Sequence, residues 1–198
     1  MNEVGAHDRR LVDHARRGDE DAFARIYGAH QGAIYRYALH MCGAGAADDV
    51  VQETFLALLR QPDRFDPARG TLVAYLFGIA RHVLLKRLSI ARAESAFDDE
   101  EELSAAVDTA SAFDALSRAE TIDRVRAAIQ TLPPPYREVV VLCELQELDY
   151  AEAAAIIACP VGTVRSRLHR ARALLTSKLT SERPAEASRC SAGRATRR

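Results

Sequence analysis

DYAEAAAIIACPVGTVRSRLHRARALL, residues 149–175, reads as two short helices joined by a tight turn. Asp149 is placed to cap the first helix, with Glu152 three residues on in capping-box spacing. Cys159-Pro160 breaks the pattern, because proline cannot continue a helix but suits the start of the next. In the second helix Val164, Leu168, Ala171 and Leu175 recur at spacings of four, three and four, which puts them on one buried face. Arg165, Arg167, His169, Arg170 and Arg172 take the remaining faces, and Pro160 to Lys178 contains no Asp or Glu. This is the pattern of a helix-turn-helix whose second helix enters a DNA major groove. The plainer alternative is an amphipathic hairpin whose arginines only keep it soluble. Thr163 and Ser166 tilt the balance toward DNA, since small hydroxyl residues at the front of such a helix approach phosphates and base edges while arginine forks onto guanine.

The rest of the chain is read outward from that stretch. At 198 residues it suits one or two domains. Its longest apolar runs, such as Val139–Cys143 and Ala153–Cys159, are too short to span a bilayer, and the charged N-terminus lacks the apolar core of a signal peptide. A cytoplasmic protein without membrane insertion is expected. Cys42, Cys143, Cys159 and Cys190 form no CxxC pair and no zinc-type Cys/His spacing, so they read as reduced packing thiols and no metal or cofactor is expected. The formal net charge of −1 conceals a segregation. Residues 91–120 carry nine acids, from Glu94 to Glu120, against Arg92 and Arg118, whereas 160–178 carries five Lys/Arg and no acid.

Upstream, Leu11 to His40 is helical in pattern, with Gly28, Gly32 and the GAGAA run at Gly43–Ala47 marking looser points or turns. Asp48 or Asp49 is expected to cap the next helix, DDVVQETFLALLR, which turns Val51, Phe55, Leu58 and Leu59 inward and clusters Asp49, Gln52 and Glu53 outside. Such acids are either solvated surface or a partner's docking face. QPDRFDPARG, residues 61–70, must be a loop, with Phe65 a large aromatic inside it. Thr71 opens a further helix whose later half, with Arg81, His82, Lys86 and Arg87, is basic. An aromatic-bearing loop beside a basic helix suits an unstacked base. Around Ala91 the chain turns acidic and poor in large apolar residues, as a linker does. Ile122, Val125, Ile129 and Leu132 restart a helix that Pro133-Pro134-Pro135 ends, and Tyr136 to Gln146 forms another. The tail after Leu179 is polar and basic. The fold class expected is all-α: two small helical domains, 10–90 and 120–179, joined by a flexible acidic linker at 91–119, with a disordered tail at 180–198. Nothing in the sequence forms a catalytic constellation.

With both halves in view, the chain resembles bacterial RNA polymerase sigma factors of the extracytoplasmic-function (ECF) type, in the sigma-70 family. ARRGDEDAFARIY, DDVVQETFLALLR and FDPARGTLVAYLFGIARHVLLKRL resemble the sigma-2 domain, and LPPPYREVVVLCELQELDYAEAAAIIACPVGTVRSRLHRARALL resembles sigma-4. The resemblance implies a promoter-specificity subunit, not an enzyme, that binds core RNA polymerase (the beta-prime clamp and the beta flap) and promoter DNA and is controlled by an anti-sigma factor. It implies that Asp49, Gln52 and Glu53 dock on polymerase, and that Phe65, Arg69, Tyr75, Arg81, His82 and Lys86 read and melt the −10 element. It implies that Thr163, Arg165, Ser166, Arg167, His169 and Arg170 read the −35 element. Tyr75 stands where the family commonly has tryptophan, His82 and Lys86 where Asn and Asp are common, and Ala158 where the turn usually has glycine. The rival reading is a stand-alone helix-turn-helix regulator that never docks on polymerase.

Overall fold

The computed structural model describes residues 3–95 and 113–181; the central part of the acidic segment (96–112), the C-terminal tail from residue 182 and Cys190 lie outside the described residues. Among the described residues eight α-helices follow one another: α1 (Glu3–Arg16), α2 (Glu20–Cys42), α3 (Ala44–Arg60), α4 (Leu72–Ser95), α5 (Phe113–Gln130), α6 (Pro134–Val140), α7 (Tyr150–Ile157) and α8 (Val161–Ser181). A 3-10 turn at Pro62–Arg64 lies between α3 and α4, and α6 widens into a π-helical stretch at Val141–Leu145. Among the described residues there is no strand. The expected all-α class with a C-terminal helix-turn-helix is the one found.

The starts and stops follow from side-chain chemistry. Asp19 caps α2 by accepting a hydrogen bond from the Ala22 amide at 3.0 Å. Thr71 Oγ1 accepts from the Ala74 amide at 3.2 Å and opens α4, as its position suggests. Pro134 and Pro135 do not only end α5; they form the first turn of α6, where a missing amide proton costs nothing. The helix beginning near Gly43 departs from the sequence reading. Gly28 and Gly32 lie within an unbroken α2, and Gly43 alone makes the break, at φ 79°. Helix α3 therefore starts at Ala44, so Asp48 and Asp49 sit a turn inside it and cap nothing. Helix α5 likewise begins at Phe113, earlier than the apolar spacing from Ile122 indicates.

Helices α1–α4 form one group and α5–α8 another. In the first, Ile34, Tyr37, Val50, Leu58, Phe65, Leu76 and Phe77 are almost fully buried. In the second, Val139, Leu142, Ala153, Val164, Leu168 and Ala171 form the interior. These buried residues belong to one contiguous cluster, because α4 packs on α7 and α2 packs on α5 and α6.

Asp149 accepts from the amides of Ala151 and Glu152 at 2.8 Å each, and Glu152 reaches back to the Asp149 amide at 3.3 Å, so the capping box at α7 is complete. At the other end of α7, Ala158 adopts φ 57°, ψ 52°, the left-handed conformation that a side chain makes costly. Replacing it by glycine removes about 1–2 kcal/mol of strain and gives back up to about 1 kcal/mol through the freer unfolded chain. Ala158→Gly is therefore expected to raise the thermal midpoint by about 2–4 °C. A lower midpoint would mean that the Ala158 methyl contributes more by contact than its conformation costs.

Candidate nucleic-acid and polymerase interfaces

Three surfaces carry the sequence-derived site residues. The first is the outer side of α3. Asp49, Gln52 and Glu53 are exposed there, at i, i+3 and i+4. The two acids are not simply solvated. Arg87 of α4 spans them, with Nη1 donating to Asp49 Oδ2 at 3.1 Å and Nη2 to Glu53 Oε1. Those hydrogen bonds, Glu53's the larger influence, hold the Arg87 guanidinium above its ordinary pKa. Arg87 was grouped by sequence with the basic half of α4; its role as the link between the acids needs the α3–α4 packing to be seen. Gln52 also borders a groove between α2 and α3, lined by Phe23, Tyr27, Tyr35, Phe55 and Leu56. Tyr27 and Phe55 lie 4.8 Å apart, ring centre to ring centre, with Phe23 against both. An open, partly apolar groove edged by acids suits a protein partner better than DNA, whose phosphates the acids repel.

The second surface is the 61–70 loop and the outer face of α4. Arg69, His82 and Lys86 are exposed, and Tyr75 is half-buried. Phe65 is placed differently from an open stacking platform. It is 1% exposed, with its ring 5.6 Å from that of Tyr75. The core occupies its faces, so in this conformation Tyr75 is the aromatic of this pair that a base can reach. Burial pushes the Tyr75 hydroxyl above its usual pKa, keeping it neutral. The loop is held by α1, a contribution the sequence reading missed. Arg9 donates to the Phe65 carbonyl, and Arg16 pairs with Asp63 at 2.9 Å. Arg9 and Arg16 are seven apart and share a helix face; that spacing is the only signal the sequence offers.

Arg81 also departs from the open face. It turns into the other half of the chain, where its Nε donates to Glu138 Oε1 at 2.8 Å. The Tyr37 hydroxyl donates to the same oxygen at 3.0 Å. Glu138 is 8% exposed, so these two donors compensate a carboxylate that has lost nearly all its water. Burial foremost, then Glu138, raises the Tyr37 pKa well above its ordinary value, so it remains a donor.

The third surface is α8. Val164, Leu168 and Ala171 are buried, as their spacing predicts, whereas Leu175, expected on the same face, is only half-buried; Arg165, Ser166, His169 and Arg170 are exposed on the other side. Thr163 and Arg167 are half-buried at the edges. The Arg165 guanidinium lies 5.9 Å from the Tyr150 ring centre, a cation–π contact that restrains it near the front of α8. The Ser166 hydroxyl donates to the Thr163 carbonyl at 3.0 Å, leaving its lone pairs to accept from a ligand. Arg172 differs from its neighbours: it is tied to Glu144, which raises its pKa. It supports the helix-turn-helix from the side and belongs with the scaffold.

No group of three or more His, Cys, Asp or Glu residues is arranged to hold a metal ion among the described residues, and no described helix is long and apolar enough to cross a membrane. Cys42, Cys143 and Cys159 are free thiols. Burial, reinforced by Glu144, pushes the Cys143 pKa to about 11, which keeps it an unreactive thiol.

Comparison with known proteins places these surfaces in context. Residues 26–94 match the model of sigma-70 region 2, and residues 122–175 match that of sigma-70 region 4. The ECF RNA polymerase sigma factor SigC of Mycobacterium tuberculosis is 34% identical over 159 residues, covering 80% of this chain and 83% of the relative. The ECF sigma factor SigW of Bacillus subtilis is 31% identical over 180 residues, covering 86% and 96%. Among solved structures, CnrH in complex with the cytosolic domain of CnrY superposes with a TM-score of 0.64 at 30% identity, covering 88% of this chain and 98% of that one. The sigma factor RpoE of Bartonella quintana, solved with the anti-sigma factor NepR, shares the fold at a TM-score of 0.66 and 24% identity, covering 81% and 98%. Two sigma-70 region models in the same order, and relatives aligned over most of both chains, make this protein a member of the ECF family of RNA polymerase sigma factors.

Proposed function

We infer that the three surfaces divide the work of a promoter-specificity subunit. The α3 face with Asp49, Gln52 and Glu53 docks on core RNA polymerase, with the adjoining aromatic groove as its apolar complement. The α4 face with Arg69, Tyr75, His82 and Lys86, joined by Arg81 when it is free, engages the −10 element. The α8 face with Thr163, Arg165, Ser166, Arg167, His169 and Arg170 engages the −35 element. The observation that carries this reading is the pairing, in one chain, of an acid-edged groove that repels DNA with an acid-free basic helix that attracts it. Each DNA-reading half makes few contacts, so its affinity alone is modest and salt-sensitive. Mounted on polymerase, the two act on one DNA molecule at high effective concentration. Catalysis belongs to the polymerase, and the site of action is the cytoplasm. An anti-sigma protein is the natural regulator, by analogy with the partners seen on CnrH and RpoE.

Transcription reconstituted with purified core polymerase tests the reading. Specific initiation is expected only when this chain is added. Tight, polymerase-independent binding to a palindromic site, with no effect on initiation, would instead identify a stand-alone regulator.

A further inference from the structure

Helix α1 meets the 61–70 loop at three points. A methyl group added at Gly5 would stand 3.0 Å from Cβ of Pro67, so the helix backbone lies directly against the loop there. One turn on, Arg9 Nη1 donates to the Phe65 carbonyl and to that of Pro62 at 3.4 Å, while its Nε donates to Asp13 at 3.3 Å. Arg16 then pairs with Asp63, at 2.9 and 3.2 Å to the two carboxylate oxygens. Gly5, Arg9 and Arg16 share one side of the helix, since about eleven residues complete three turns. The loop is built from two turns, each closed by its own backbone. The Phe65 amide donates to the Pro62 carbonyl at 3.2 Å, and the Arg69 amide to that of Asp66 at 3.0 Å. Neither bond spans the joint between Phe65 and Asp66, and the Phe65 carbonyl that Arg9 holds lies at that joint. Resting on the assignment of the α4 face to the −10 element, we propose that Arg9 is a positioning residue for base selection there, setting where Arg69 and Tyr75 stand without itself touching DNA.

The contacts form a chain from α1 to the reading face. The Phe65 ring is 1% exposed and lies 5.6 Å from that of Tyr75, so a shift of the Phe65 backbone is passed to Tyr75. Arg69 is carried by the second turn and moves with the joint. Reading a base demands placement to within about 0.5 Å, which two turns hinged at one peptide do not supply alone. Arginine suits the task because its guanidinium is a rigid fork. One edge is fixed by Asp13, which aims the other at the loop carbonyls. Arg16 and Asp63 are both more than half exposed at the side chain, so that pair is a weaker tie.

The test uses the full chain with core polymerase. A −10 element is selected from a randomised pool by the wild-type chain, and initiation from it is compared with initiation from versions changed at single −10 positions. Arg9→Ala is expected to lower that ratio by about fivefold or more at one position at least, the lower end of what a read base pair is worth. Core polymerase binding and salt dependence are expected to stay at wild type. Arg9→Lys keeps the charge and loses the fork, so its ratio should lie between the two. Gly5→Ala removes no bond and suits a helix better than glycine, yet its methyl presses on Pro67, so selectivity should change while helix content by circular dichroism does not. If Arg9→Ala loses helix, Gly5→Ala carries the test alone. A loss equal on every promoter, with a shallower salt dependence, would make Arg9 a phosphate contact and overturn the proposal. Full recovery by Arg9→Lys also overturns it, because charge alone would then suffice. Folded variants as selective as a selective wild type sink the role of Arg9 only, whereas a wild-type chain with no −10 selectivity sinks the −10 assignment itself.

Discussion

Reversing both acids on α3, as Asp49→Lys with Glu53→Lys, is expected to weaken core polymerase binding by at least about 100-fold. Two favourable approaches become repulsive, and like-charge contact across an interface costs several kcal/mol. The cost to the fold is expected to be smaller. Both carboxylates are more than two-fifths exposed at the side chain, and exposed ion pairs contribute about 0–1 kcal/mol each. The reversal does bring two cations beside Arg87, so a thermal midpoint a few degrees lower is consistent with it. Binding of labelled chain to core polymerase in moderate salt measures the effect. Retained binding by a folded double variant would show that this face is scaffold. The milder Glu53→Gln change separates the two contributions: it keeps a hydrogen-bond acceptor for Arg87 and removes the charge a partner would meet.

What the sequence made legible was local. The capping box at Asp149 and Glu152, the buried stripe Val164–Leu168–Ala171 and the cap at Thr71 are all patterns within a few residues, and each appears as read. At Ala158 the resemblance marked a turn position that commonly holds glycine; that the backbone is left-handed there with alanine in place is visible only in the structure. Errors arose where a local signal competed with a longer helix. Gly28 and Gly32 suggested breaks, yet burial of Ala22, Ile26 and Ile34 keeps α2 continuous through both. The acids at 48 and 49 resembled caps only because the preceding GAGAA run was read as turn, when its alanines already propagate α3. Contacts between distant segments left almost no trace. Arg81 was sorted by charge with His82 and Lys86, though its partner lies 57 residues away. Phe65 looked like a loop aromatic free to stack, because nothing in QPDRFDPARG reveals that Tyr75 and the core close over it.

The −35 assignment predicts a different signature for each arginine on α8. Arg165 is exposed and restrained over Tyr150 near the front of the helix, where base edges are read. If it forks onto a base, Arg165→Ala loses about 1–3 kcal/mol of discrimination, or roughly 5- to 150-fold in initiation from a promoter that depends on its −35 element. The loss should shrink when the contacted base pair is changed, since the wild-type chain then loses the same bond. Arg170 is exposed a turn further along α8. As a phosphate contact, Arg170→Ala weakens binding about equally on every promoter and lowers the salt dependence by about one unit. Neither side chain belongs to the buried stripe, so the thermal midpoint and core polymerase binding should stay near wild type. Leu168→Ala is the contrasting control: it removes a fully buried side chain at a cost of about 2–5 kcal/mol and abolishes −35 dependence by loosening the helix-turn-helix itself. Should Arg165→Ala behave like Leu168→Ala, losing stability along with initiation, its contact with Tyr150 would be structural and the base-reading role would pass to its neighbours on the same face.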